Sequence, residues 1–331
     1  MSSKETVLIT GCSDGGIGSA LAVLFQQRGY HVFATARDVS KMSRLNGLPN
    51  VTPLTLDVVE PAHIKAAVEA VTEHTGGTLN YFISNAGRNH FMPILDENLE
   101  TVRSLFEINF IAPIALTQAF APLLIKAKDM AVYVTSISGY LNIPYMGKCL
   151  SYLSPSPVPL AADNKTKGTY SASKRSTEIV ADTLRLELAP FGVGVLEVVT
   201  GGVQTKGQTY FGDFQLPAQS LYKGIEDVIA SRAQGKDELV RMDPMEYAGA
   251  VVNEITNRTT GRFWFGSNAE SVKMSTTAVS VPQSAMVSHS LIYHLKHAKP
   301  NCRTRELSWG LGWMHWVNNL DLGDVGKVVA G

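Results

Sequence analysis

Cysteine is scarce in this chain, and neither sign of charge is in surplus. Cys12, Cys149 and Cys302 are the only cysteines among 331 residues. Their odd number and lack of ligand spacing exclude a disulfide framework and suit a reducing compartment. Lys and Arg together number 29, as do Asp and Glu, so no net field draws in nucleic acid or an anionic membrane. The partner expected is a small molecule, with no nucleic acid. His289, His294 and His297 lack a partnering carboxylate or cysteine pattern, so no metal is expected. The start, Met1-Ser2-Ser3-Lys4-Glu5-Thr6, lacks an apolar h-region, so no secretory signal is expected. The longest apolar run, Phe110 to Ile125, carries Thr117, Gln118 and two prolines; it falls short of a transmembrane span and is expected to be a buried helix. No low-complexity linker divides the alternating strand and helix patterns, and 45% hydrophobic content is enough for one large core.

Against these absences stands Tyr170-Ser171-Ala172-Ser173-Lys174. It places a phenol and an ammonium four residues apart on one helical face. A free tyrosine has a pKa of about 10, and a neighbouring cation is expected to lower it toward working pH. By itself this spacing occurs on many solvated helices. Its weight comes from a second pattern: Val7-Leu8-Ile9 reads as a buried strand, followed by Thr10-Gly11-Cys12-Ser13-Asp14-Gly15-Gly16-Ile17-Gly18 and a helical stretch from Ser19 to Arg28. Strand, glycine-rich turn and helix N-terminus together cradle a pyrophosphate on backbone N–H groups.

With both motifs in place, the chain from about Thr6 to Thr205 resembles the short-chain dehydrogenase/reductase family. The resemblance implies an α/β fold with a doubly wound parallel sheet, the Rossmann fold, in a single domain over residues 6–262, with an extension over 263–331. Gly11, Gly16, Ile17 and Gly18 match the family's cofactor turn. Asn85-Ala86-Gly87 matches its turn after the fourth strand, and Asp57 its adenine contact. Asn109 matches the helix asparagine that holds a water in the proton relay, and Ser136 the serine that orients substrate. Ser138 competes, but serine, a small or apolar pair and glycine fit Ser136 to Gly139. Val203 and Thr205 match the last cofactor-contacting segment, and Tyr170 and Lys174 the catalytic pair. The family packs the helix after Phe110 and the helix of the Tyr-Lys pair against a partner subunit, which implies a homo-oligomer. The long glycine turn, Thr200-Gly201-Gly202 in place of a proline-bearing turn, and the stretches Leu221 to Ala233 and Asp243 to Gly249 are similar to the fungal 1-acyldihydroxyacetone-phosphate reductase branch and to reductases of fungal secondary metabolism. That likeness implies a cytoplasmic protein with peripheral association with lipid droplets or endoplasmic reticulum.

The chemistry implied is transfer of hydride from NADPH to a ketone or aldehyde. The cofactor choice rests on Thr35-Ala36-Arg37 at the end of the second strand. An acidic residue there would bind the ribose hydroxyls of NAD, whereas a guanidinium suits the 2′-phosphate of NADP. A solvated Arg37 paired with Asp38 is the duller alternative. Tyr210, Phe211, Phe214 and Tyr222 could line an apolar pocket or pack against the sheet.

Ser136 and Tyr170 stand 34 residues apart, where most members of the family have about a dozen, a spacing that lets both reach one carbonyl oxygen. The excess is a Ser/Pro-rich piece, 148–168, with no helical or strand period. It reads either as a lid or as a retained intron. Gly147-Lys148 is compatible with a GTAAG donor, Lys167-Gly168 with an AG acceptor, and 21 codons keep the frame. The intron reading is preferred because excision restores an interval of 13. An insertion that separates Ser136 from Tyr170 would leave a nucleotide-binding protein without turnover, the alternative from another functional class. The tail from about Val287, with its histidines and Trp309, Trp313 and Trp316, reads as an altered frame or as a surface amphipathic stretch.

Overall fold

In the computed structural model the described residues are 4–141, 168–236 and 239–277. Most of the 148–168 insertion, Cys149, Cys302 and the tail from Val287 lie outside them, as does the side chain of Tyr210. The two readings of the insertion and the two readings of the tail therefore concern residues outside this description.

Seven strands form one parallel sheet: β1 (Thr6–Ile9), β2 (His31–Ala36), β3 (Val51–Thr55), β4 (Tyr81–Ser84), β5 (Met130–Val134), β6 (Gly194–Thr200) and β7 (Gly261–Phe265). Their order is β3-β2-β1-β4-β5-β6-β7. Val7 lies opposite both Val32 and Tyr81. Helices cover both faces, so the central strands read as unbroken apolar runs rather than alternating ones; Val7, Leu8 and Ile9 are wholly buried. On one face α1 (Ile17–Gln27) and α7 (Pro244–Thr256) pack over Val7, Ile9, Tyr81 and Val132. On the other, α2 (Pro61–Thr75), α4 (Ala112–Ala127) and α5 (Gly168–Leu188) cover Leu8, Phe33, Phe82 and Tyr133. The chain order reverses between β1 and β4, and the carboxyl ends of these strands form the crevice where doubly wound sheets take ligands.

Local chemistry sets the helix limits. Pro61 opens α2 and Gly76, at φ 70°, closes it in the left-handed region. Asn98 caps α3 (Leu99–Phe106) through Glu100 N and Thr101 N. Asp243 caps α7 through Met245 N and Glu246 N, with Pro244 at the first turn.

The limit expected at 262 falls inside β7, and α8 (Ala269–Thr277) follows that strand. No residue of β7 is fully buried and Arg262 is exposed, so this edge strand carries a weak apolar signal. The run from Phe110 is part of a longer helical stretch, Leu99–Ala127, whose 29 residues are long and apolar enough to cross a membrane by length and composition. Leu116, Phe120, Leu123 and Leu124 nevertheless face the sheet, which makes α4 a core helix, as expected for the run from Phe110.

Candidate active site

The glycine-rich turn leaves β1 under tight steric control. Gly11 and Gly15 sit at φ 75° and 77°, a region that only glycine enters without strain. A Cβ on Gly18 would lie 2.4 Å from Gly11 O and 2.6 Å from Asn85 Nδ2. Gly16 is the N-cap of α1 and its own N–H donates to Ser13 O at 3.1 Å, so the helix turns its first N–H groups, those of Ile17 and Gly18, toward the crevice. Asn85 braces the turn: its Nδ2 donates to Thr10 O at 2.8 Å and to Gly11 O at 3.2 Å, while Thr10 Oγ1 accepts from Asn85 N and Ala86 N, both at 2.9 Å. Asn85, expected as a cofactor contact, thus uses its amide donors to join the ends of β1 and β4.

Arg37 follows β2 and is exposed. Asp38 caps the next turn, accepting from Ser40 N at 3.0 Å and Ser40 Oγ at 2.6 Å, which is a use other than pairing with Arg37. Asp14 accepts from Ser43 N, Ser43 Oγ and Arg44 N, drawing the residues after β2 against the glycine turn. Asp57 is partly buried after β3 and accepts from Val59 N at 3.3 Å. Val203 packs its side chain into the core, so a cofactor would meet its backbone. Thr205 Oγ1 accepts from Gly207 N. Lys206, not singled out in the sequence, lies over the turn: a Cβ on Gly15 would meet its Cε at 2.9 Å.

Asn109 lies in a π turn, Glu107–Ile111, between α3 and α4. Such single-turn bulges rotate side chains out of the regular helical order and cluster at functional sites. Its Oδ1 accepts from Arg88 N at 2.8 Å, and its Nδ2 donates to Arg88 O at 2.9 Å and Ser173 Oγ at 3.0 Å. Its carbonyl accepts from Thr177 Oγ1 at 2.7 Å. The water relay expected of Asn109 therefore has to share a carbonyl already engaged by a hydroxyl.

Tyr170 and Lys174 lie on the first turns of α5. The Tyr170 hydroxyl is hydrogen-bonded to the Ser136 side chain, and Ser136 Oγ also accepts from Ser138 N at 3.1 Å. Ser138 itself is buried. The 34-residue interval therefore does not hold serine and tyrosine apart, and the displacement expected of the insertion is corrected: α5 packs against the turn at Ile137–Tyr140 and brings Tyr170 to Ser136. Lys174 Nζ donates to Val134 O at 3.1 Å, and a Cβ on Gly87 would lie 3.4 Å from it.

Electrostatics here differ from the expectation that lysine lowers the phenol pKa. Burial pushes the Tyr170 phenol up to about 12, with the Ser136 hydrogen bond opposing and the Glu178 carboxylate reinforcing. Burial lowers Lys174 to about 8, again with Glu178 opposing. Glu178, one further turn along α5, is buried, and its Oε1 has no hydrogen-bond partner among the described residues. Burial and then Glu197 raise its carboxyl to about 8. Glu178 escaped the sequence reading because nothing in its spacing distinguishes it from an outward-facing helix glutamate. Among the described residues no group of three or more His, Cys, Asp or Glu side chains could hold a metal.

A cavity of about 340 Å³ opens beside the site, lined by His90, Met92, Asp96, Glu97, Leu216 and Pro217 among others. Glu97 accepts from Thr169 Oγ1 at 2.5 Å, next to Tyr170. Phe211 meets Phe91 edge-on at 5.2 Å, so this aromatic packs against the loop after β4.

A Rossmann sheet with a glycine-rich turn at its switch point, and Ser136 at the end of β5 beside Tyr170 and Lys174 on α5, defines the class, and the chain belongs to the short-chain dehydrogenase/reductase family. The short chain dehydrogenase family pattern matches residues 5–148. "Short-chain dehydrogenase PC-15" of Penicillium crustosum is 43% identical over 266 residues, 80% of this chain and 90% of the relative. The NADPH-dependent 1-acyldihydroxyacetone phosphate reductase of Schizosaccharomyces pombe is 35% identical over 268 residues, 80% of this chain and 82% of the relative. The crystal structure of a short-chain dehydrogenase from Streptomyces avermitilis shares the fold, with a TM-score of 0.66 and 23% identity over 90% of this chain and 98% of that one. The protein is an oxidoreductase of this family.

Proposed function

We propose that the chain is an NADPH-dependent reductase of ketones or aldehydes, with Tyr170 as proton donor, Ser136 as the group that orients the carbonyl oxygen, Lys174 as the nicotinamide-ribose ligand and Asn109 as the brace behind them. The observation that carries this reading is the hydrogen bond between the Tyr170 hydroxyl and Ser136 at the carboxyl end of β5. Two hydroxyls that already meet there can both reach one substrate oxygen.

The residues present fit a dinucleotide: the glycine turn leaves room where a Cβ would clash, and the N-terminus of α1 favours a pyrophosphate. When bound, the reduced nicotinamide supplies the hydride. Gly11, Gly16, Ile17 and Gly18 would cradle its phosphates, Asp57 would contact the adenine, and Val203 and Thr205 would offer backbone and hydroxyl contacts. Arg37 selects NADPH through the 2′-phosphate, in keeping with the NADPH dependence in the name of the fission-yeast relative. Ser136 donates to the carbonyl oxygen and Tyr170 passes it a proton as negative charge develops. Burial keeps the phenol protonated, which is the form that reduction requires.

For the substrate, the cavity beside Thr169 carries the carboxylates of Asp96 and Glu97, which repel a phosphate ester. We therefore favour an uncharged ketone of the secondary-metabolite kind over 1-acyldihydroxyacetone phosphate. NADPH oxidation measured with 9,10-phenanthrenequinone, ethyl acetoacetate, benzaldehyde and dihydroxyacetone phosphate tests both points. Turnover of an uncharged carbonyl is expected, and Tyr170→Phe is expected to abolish it while leaving NADPH affinity nearly intact. Substantial turnover by Tyr170→Phe would remove the proton-donor assignment.

A further inference from the structure

α5 begins at Gly168, two residues before Tyr170. The first turn of a helix has N–H groups without intrahelical partners and is its least secure part. The anchors of α5 through Ser173, Lys174 and Thr177 all follow Tyr170 in the chain. On the other side of Tyr170, Thr169 Oγ1 donates to Glu97 Oε1 at 2.5 Å. The second oxygen of the same carboxylate, Oε2, lies 2.7 Å from His90 Nε2, with the two side chains only 3% and 10% exposed. His90 and Glu97 both belong to the loop that leaves the carboxyl end of β4. That loop also packs against the helix start: a Cβ on Gly168 would meet Ile94 Cδ1 at 2.6 Å.

We infer that Glu97, oriented by His90, is a positioning residue that holds Thr169 and thereby sets the location of the Tyr170 hydroxyl. The inference rests on the reading of Tyr170 as proton donor. It explains how Tyr170 reaches Ser136 although 33 residues separate them in the chain: the helix start is fastened to the β4 loop, independently of the segment that joins serine to tyrosine. Neither oxygen of Glu97 is free to take a ligand, so its work is to orient other groups.

The test uses the full chain and the best-reduced carbonyl of the panel above. Thr169→Val removes the hydroxyl but keeps the side-chain shape at a partly exposed position, and Glu97→Ala removes the carboxylate. Because a misplacement of about 1 Å can lower the rate about a hundredfold, each variant is expected to lose at least about tenfold in kcat, with NADPH affinity unchanged. Thr169→Ser should regain most of the turnover. The double variant should fall no further than the worse single one, since both break the same linkage. Parental kcat in Thr169→Val would overturn the inference, as would losses that multiply in the double variant. A loss seen only in NADPH affinity or melting temperature would also overturn it. An active Tyr170→Phe would instead sink the donor reading; an inactive Tyr170→Phe beside a fully active Thr169→Val sinks the positioning role alone.

Discussion

Gly18→Ala is the most direct probe of the cofactor turn. The added Cβ would lie 2.4 Å from Gly11 O and 2.6 Å from Asn85 Nδ2, whereas heavy atoms settle at about 3.5 Å. The turn and its Asn85 brace would have to open by about 1 Å. Neither group can yield alone, because Asn85 Nδ2 is bonded to Thr10 O and Gly11 O and Gly11 O is backbone. Overpacking of this kind costs about 1–3 kcal/mol. If that strain is relieved by displacing the N–H groups that receive the phosphates, NADPH binding weakens by about 5- to 160-fold. Fluorescence titration with NADPH measures this. Gly249→Ala is the control: Gly249 lies inside α7 with nothing within 4 Å of its added Cβ, so alanine there should stabilise by about 0.5–1 kcal/mol and leave affinity unchanged. If Gly18→Ala bound NADPH as tightly as the parent, the turn would not be the phosphate cradle.

Arg37→Asp is expected to narrow or reverse a preference for NADPH over NADH, read from the two dissociation constants; equal affinities in the parent protein would remove the assignment of Arg37 to the 2′-phosphate. The alkaline limb of kcat/KM should report Lys174, which loses its charge as pH rises through about 8, while Tyr170, at about 12, stays protonated. Glu178→Gln removes the carboxylate that favours the lysine cation and should move that limb to lower pH; a profile flat to about pH 10 would contradict this ordering.

The family and fold of this protein were legible in the chain because the patterns that carry them are local. Gly11 to Gly18 and Tyr170 to Lys174 are spacings set by one turn and one helix, and parallel strands buried on both faces announce themselves as apolar runs such as Val7 to Ile9. Tertiary packing decided what local spacing could not. Burial, rather than the lysine one turn away, governs the Tyr170 phenol, since desolvation depends on everything packed around it. Glu97 and Thr169, 72 residues apart, meet only because the loop after β4 and the start of α5 converge at the carboxyl edge of the sheet. For the same reason, a 34-residue interval that looks prohibitive along the chain still delivers Tyr170 to Ser136: loop length adds closure entropy only logarithmically, whereas the contacts of α5 with β5, the π turn and the β4 loop fix its place.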